Sequence, residues 1–397
     1  MATAFVNGRV LTQNGLESKA VIVADRHITA IADAKDAAAA DERIDLEGNL
    51  LLPGFIDVQV NGGAGVLFGE EPSVAGIRTI AEAHARFGTT GFLPTIISSD
   101  LHVIRDAITA VEAAIEENVP GVLGIHIEGP FLSHERKGIH DSSKFRELDE
   151  EAFMLLTSMR RGKTVVTLAP ERTAPEWIHR LHKTGVLVCA GHTNATYAQT
   201  REALAQGLRG FTHLFNAMSQ IAPREPGVVG AALEDEDSWC GLIVDGRHVA
   251  PALLRIALRC KGAERLMLVT DAMPSVGNSD KTFQLQGRTI HVENGVCVGP
   301  DGTLAGAHLD MITAVRNTVD LLGTDVATAV RMASETPAAF LGLERELGRI
   351  APGYRASFVI VADHPNNVDI LNVWIDGKPR HAGRGAQCAP SAKEARS

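Results

Sequence analysis

Gly124-Ile125-His126-Ile127-Glu128-Gly129-Pro130 is the stretch on which the fold of this chain turns. Residues 122–127 are short, β-branched and bounded by Gly121 and by Gly129-Pro130, the marks of a buried strand. A buried strand that runs into a carboxylate and then breaks on Gly-Pro delivers that carboxylate to the open end of a sheet. In (β/α) barrels the chemistry sits at the C-terminal strand ends. Taken alone, Glu128 reads more readily as a cap for the next element or as a partner for an arginine. The same arrangement recurs downstream at His192, His213 and Asp271, and the recurrence favours a shared site.

Working outward, strand-like runs alternate with helical patterns eight times. The expected strands are residues 55–60, 91–96, 122–127, 165–168, 186–190, 210–212, 241–244 and 267–270. The helical stretches between them include 74–87 behind Ser73 as N-cap, 101–117 behind Asp100, 149–160, 195–205 and 250–259. Eight βα units predict an α/β fold of the TIM-type (β/α)8 barrel rather than an open sheet. An insertion at 283–298 reads as a hairpin turning on Glu293-Asn294-Gly295, and helices at 309–322 and 325–333 close the domain. Short alternating runs at 5–11, 19–23 and 27–31, and again at 348–361 and 368–376, are β-signals too small to bury a core alone. We expect the two ends to pair into one small β-sandwich domain (1–53 with 345–385) beside a catalytic barrel (54–344). The segment 37–40 reads as a loop or helical turn, and the polar tail from about Gly385 as frayed.

Composition narrows the class. The chain has 397 residues, 45% hydrophobic with only 5% aromatic and 38 glycines, which suits a large α/β core with many tight turns. No run of about 18 uncharged apolar residues exists, so no membrane span is expected. The N-terminus lacks the basic start and apolar core of a signal peptide. Five scattered cysteines, with no Cys-x-x-Cys spacing, fit neither a disulfide framework nor a zinc–thiolate site and suggest a reducing cytoplasm. Net charge is −10 without a basic stripe, which argues against nucleic acid as a partner. An anionic substrate would have to be recognised by a few local cations.

At the strand ends, a period of two puts Gln59 and Asn61 on one face, and His126 and Glu128 on another. One glutamate and two histidines form a plausible divalent-metal set, three protein ligands with one position left open. His126 reads as a buried partner for Asp57 rather than a ligand. His134, His308 and Asp301 stay unassigned, with His308 a candidate lining residue after Ala305-Gly306-Ala307.

Several motifs then carry a resemblance. Pro53-Gly54-Phe55-Ile56-Asp57, His126-Ile127-Glu128-Gly129-Pro130-Phe131, Ala190-Gly191-His192-Thr193 and Thr212-His213-Leu214-Phe215-Asn216-Ala217-Met218 resemble the N-acetylglucosamine-6-phosphate deacetylases of the amidohydrolase superfamily. So do Arg224-Glu225-Pro226-Gly227, Asp245-Gly246-Arg247-His248-Val249 and Val269-Thr270-Asp271-Ala272. The resemblance implies that Glu128, His192 and His213 hold one divalent metal per chain, zinc first, with iron, cobalt or manganese as alternatives. It implies Asp271 as acid/base and His140 near the acetyl carbonyl. Asn216, the Ala217 backbone, His248 and Arg224 would bind the sugar phosphate, Arg224 reaching across a homodimer interface. Many members of the superfamily carry His-x-His at the end of strand one and use it for a second cation. This chain has Gln59-Val60-Asn61 there, and amide side chains are weak ligands, so a single metal is expected. Gln59 and Asn61 would then hydrogen-bond to neighbouring side chains or to water on the metal.

The function implied is hydrolysis of the N-acetyl amide of N-acetylglucosamine 6-phosphate to glucosamine 6-phosphate and acetate, in amino-sugar catabolism. The competing readings are an amidohydrolase for another amide or N-acetylhexosamine phosphate, and a barrel scaffold without catalysis.

Overall fold

The computed structural model describes residues 1–363 and 369–382. Eight parallel strands lie side by side in chain order: β1 Phe55–Val60, β2 Thr89–Ile97, β3 Gly124–Glu128, β4 Lys163–Leu168, β5 Leu187–Ala190, β6 Gly210–Phe211, β7 Trp239–Leu242 and β8 Leu266–Leu268. A parallel bridge from Val60 to Ala272 joins the last strand region to the first and closes the barrel. β1 is buried at every position and β2 at all but its last, because helices cover one face and packed side chains fill the other. Gly124 lets β3 start against β4: a Cβ there, at φ +157°, would lie 1.9 Å from the Lys163 carbonyl oxygen.

Local chemistry explains the helices. Ser73 caps Val74–Ala85 by accepting from Gly76 N, as its position predicts. Leu101–Glu116 also starts where expected, but the Asp100 carboxylate pairs with Lys144 at 2.7 Å instead of capping it. Asp149 caps Glu150–Leu156, shorter than the expected 149–160, and a Thr196–Gln199 capping box opens Tyr197–Ala205. Pro251–Lys261, Met311–Leu322 and Val326–Ala333 match expected helices within a few residues, and residues 37–40 fall on a short 3-10 turn, Asp36–Ala39. Pro175–Lys183, Gly227–Glu234 and Glu335–Leu341 are helices the sequence reading did not foresee.

Strands from both halves of the chain interleave beside the barrel. One sheet runs His27–Ala32, Ala20–Ala24, Ala2–Val6, Glu42–Asp45; the other runs Lys378–Ala382, Ile370–Ile375, Phe358–Val361, Leu50–Pro53, Arg9–Thr12, Gly15–Glu17. Asn7-Gly8 carries the chain from the first sheet to the second, between the strands Ala2–Val6 and Arg9–Thr12. Between the sheets, Phe5 meets Phe358 and Trp374 edge-on at 4.8 and 4.9 Å. The late β-signal at 348–361 narrows to Phe358–Val361, since Gly348 to Ser357 is irregular. Asp376 accepts from Arg355 Nε at 2.6 Å and from Arg26 Nη2 at 2.5 Å, joining the two sets of strands. Val368, residues 383–385 and the tail beyond lie outside the described residues.

The insertion is a four-stranded meander, not a single hairpin: Thr282–Leu285, Arg288–Glu293, Val296–Val298 and Leu304–Ala307. Its expected turn is present, with Asn294 and Gly295 both at positive φ. The last strand bridges Ala272 through Ala307, which lays the meander over the barrel mouth. No helix among the described residues is long and apolar enough to cross a membrane.

Candidate active site

The site forms just past the ends of three barrel strands, two of which, β6 and β8, stop earlier than their sequence suggests. His192, His213 and Asp271 lie just beyond β5, β6 and β8 with φ of +48°, +35° and +52°. A left-handed backbone breaks the ladder and turns each side chain in toward the barrel axis; such strain persists where surrounding structure holds it, commonly at functional sites. Ala217, also left-handed at +49°, follows in the loop after β6.

These turns bring the expected ligands together. His192 Nε2 and His213 Nε2 lie 3.1 and 3.0 Å from the same oxygen of Glu128, Oε1, and 3.0 Å from each other. All three residues are buried. His192 Nδ1 faces the Arg136 carbonyl at 2.9 Å, so its proton sits there and its Nε2 presents a lone pair. A tetrahedral ion with bonds of about 2.0–2.1 Å has ligand edges of about 3.3 Å, so this triangle is a few tenths of an ångström from ligand spacing. One carboxylate oxygen and two imidazole nitrogens therefore fit a divalent cation. Burial alone would raise the Glu128 carboxyl, but the two imidazoles facing it hold it well below the usual carboxylate range. His213 moves the other way: burial lowers it, and the bond to Glu128 with the nearby charges raises it overall.

His140 also stands within ligand distance of Glu128 and His192. Its Nδ1 accepts from the Ser98 backbone N–H at 3.3 Å, with the Ser98 hydroxyl at 2.8 Å. In the neutral ring the proton is then on Nε2, which makes His140 a donor toward the site rather than a metal ligand. Burial, with His192 alongside, keeps that ring neutral, well below the ordinary histidine range.

Asp271 is half-buried beside the cluster. Burial first and the Glu128 charge second push its carboxyl up to about 6. Its Oδ1 accepts from Asn61 Nδ2 at 2.7 Å and Gln59 Nε2 at 3.2 Å; Gln59 also donates to Glu128 Oε2 at 3.2 Å. The two amides thus bond to carboxylates of the cluster, one of the alternatives expected for them.

The side chains open on a cavity of about 320 Å³ lined by Glu128, His140, His192, His213, Asp271 and Asn61, together with Asn216, Ala217 and His248. His248 is held by Asp245, whose Oδ2 lies 2.6 Å from His248 Nδ1. Arg224 is exposed on the 221–226 loop and does not line this cavity. His126 does not pair with Asp57: it faces Thr167 Oγ1 at 2.8 Å, and Asp57 instead bonds Thr270 and the Gln59 backbone. β4 stands close enough to supply that hydroxyl, and Thr270 reaches Asp57 across the barrel closure. His308 is absent from the lining; it bridges Ser275 and Lys281 at 3.0 and 3.2 Å. Glu135, Arg136 and the meander residues Leu285, Thr303 and Leu304 do line the cavity, though no sequence pattern singled them out.

The sequence profile of the Amidohydrolase family matches residues 50–380. The N-acetylgalactosamine-6-phosphate deacetylase of Shewanella sp. (strain ANA-3) is 40% identical over 387 residues, 96% of each chain. The N-acetylglucosamine-6-phosphate deacetylase of Haemophilus influenzae is 34% identical, covering 95% of this chain and 99% of that one. A crystal structure of N-acetylglucosamine-6-phosphate deacetylase from Pasteurella multocida superposes with a TM-score of 0.92 at 35% identity, over 96% of this chain and all of that one. The matched span runs through every strand of the barrel and all the residues of the Glu128 cluster, so the chain belongs to the amidohydrolase family.

Proposed function

We propose that this enzyme hydrolyses the N-acetyl amide of N-acetylglucosamine 6-phosphate, releasing acetate and glucosamine 6-phosphate. The observation that carries this reading is the convergence of Glu128, His192 and His213 on one point, with Asp271 in the same cavity. Glu128, His192 and His213 would hold one divalent cation, zinc first. When bound, such an ion polarises an amide carbonyl and brings the pKa of water from about 15.7 toward about 7.

The remaining work falls to side chains. Asp271 takes the proton from the attacking water on the oxygen not held by Asn61 and Gln59, then returns it to the departing amine nitrogen. Amines leave poorly, so the return is as necessary as the attack. His140 Nε2–H donates to the carbonyl oxygen as negative charge builds there, and the Ser98 bond to Nδ1 keeps that hydrogen in place. Asn216, Ala217 and His248 receive the sugar phosphate. Arg224, exposed and outside its own cavity, would complete the neighbouring subunit's site in a homodimer. A cytoplasmic location is consistent with the four described cysteines, all free thiols.

The galactosamine epimer is the second reading, favoured by the 40% identity to the Shewanella enzyme. Acetate release from both 6-phosphates and from the unphosphorylated sugars, with metal analysis of the same preparation, tests these readings. We expect metal-dependent turnover and a strong preference for a phosphorylated sugar. No acetate from either epimer in metal-loaded protein would end the deacetylase reading, and a larger kcat/KM for the galactosamine compound would select the second.

A further inference from the structure

His248 is wired on one side and open on the other. Asp245 Oδ1 accepts from the backbone N–H of Arg247 at 2.8 Å and of His248 at 2.9 Å, while its Oδ2 faces His248 Nδ1 at 2.6 Å. Gly246, at φ +69°, allows the loop to close this tightly. The two side chains are 7% and 4% exposed. On the far side of the ring, Nε2 is buried, has no hydrogen-bond partner among the described residues, and belongs to a residue that lines the cavity. Buried polar atoms are nearly always satisfied, so an orphan at a cavity wall marks a place where a ligand atom belongs.

The charge of the ring decides which ligand atom that is. Burial alone would raise the Asp245 carboxyl, but the hydrogen bond and charge of His248 bring it below the usual range, so the group facing Nδ1 is a carboxylate. A carboxylate has no hydrogen to give, so the Nδ1 proton stays on the ring. A neutral ring would then aim a bare lone pair from Nε2 into the cavity, which repels an anion. A protonated ring aims an N–H. We propose that Asp245 is the positioning residue that turns His248 into an anion donor: it fixes the ring through three hydrogen bonds in one loop and stabilises the imidazolium whose Nε2–H receives the substrate phosphate.

Other charged groups also bear on the ring. Asp271, Glu135, Arg136 and the cluster around Glu128 share the cavity, and Arg247 is exposed on the same loop. Among the described residues, Asp245 is the group that contacts the imidazole directly. The inference rests on the sugar-phosphate reading above.

Asp245→Asn keeps an oxygen that can accept the loop hydrogen bonds and removes the charge. At pH 8 the ratio of kcat/KM for N-acetylglucosamine 6-phosphate over N-acetylglucosamine should fall about tenfold, through KM. At pH 6 the deficit should shrink, because lower pH favours the charged imidazole whether or not a carboxylate faces it. In a His248→Ala background, Asp245→Asn should leave the ratio where His248→Ala put it. Equal losses on both sugars, a deficit that ignores pH, or a full further loss without His248 would overturn the role. Nitrogen NMR of the wild-type enzyme with inorganic phosphate gives a readout that needs no variant to fold. Both ring nitrogens of His248 should be protonated, and a neutral ring would refute the proposal. If the wild type treats both sugars alike, the sugar-phosphate reading fails and this inference with it. If the wild type discriminates and Asp245→Asn discriminates as well, only the role of Asp245 fails.

Discussion

Asp271 sits among groups that fix its geometry without removing its charge-accepting oxygen. Asn61 and Gln59 point amide hydrogens at Oδ1, and an asparagine in its place could still accept them. Asp271→Asn should therefore keep fold and metal yet lower kcat by roughly 10²–10⁴-fold, because the carboxamide cannot take the water's proton. Full turnover in a metal-loaded variant would rule the role out. The same amides bear on metal count. Gln59 bonds to both Glu128 and Asp271, so N–H groups stand between the carboxylates where a second cation would need ligands. Protein purified without chelator should carry about one equivalent of divalent metal per chain, since Gln and Asn amides are poor ligands; two tightly held equivalents would contradict this. Truncating His248 to Ala should weaken phosphorylated substrates by about 1.5–3 kcal/mol, read as a rise in KM absent from the unphosphorylated sugar. Glu128, His192, His213 and Asp271 are legible in the sequence because each breaks an apolar run. Arg136 is not, since it lies in the charged stretch Glu135-Arg136-Lys137 and only the folded loop turns it toward the cavity.

Among the elements, the barrel strands are legible where burial on both faces makes them continuously apolar, as in β1 and β2. Helix Gly227–Glu234 escapes notice because two glycines and two valines blur its period, and Leu304–Ala307 because small residues give no strand signal. The ends of β6 and β8 are misjudged for a different reason: left-handed turns at polar residues have no periodicity to read. Asp376 makes a testable link between elements. Burial would raise its carboxyl, but Arg355 and Arg26 bring it below the usual range. A depressed carboxyl stabilises the fold above its ordinary value of about 3.9 and loses that contribution as pH falls through its lower folded value. Asp376→Asn should cost about 1–3 kcal/mol in neutral denaturant melts, and the gap to wild type should close below about pH 4. A gap that persists in acid would mean the loss comes from packing instead.

For the whole molecule, net charge of −10 opposes an anionic substrate, which makes each local cation count. If Arg224 serves a neighbouring subunit, mixing Asp271→Asn chains with Arg224→Ala chains should rebuild one complete site per mixed dimer. Activity on sub-saturating phosphorylated substrate should then exceed that of either parent, and verified mixed dimers without any gain would exclude sharing. The interleaved sheet has a further consequence, for biosynthesis. Leu50–Pro53, buried in the finished protein, pairs with Phe358–Val361, a strand made about 300 residues later. At roughly 5–20 residues per second, the ribosome needs about 15–60 s to deliver that neighbour. During that interval one edge of an apolar strand waits unpaired while the barrel emerges, so the nascent chain presents a sticky β-edge that a ribosome-associated chaperone would shield.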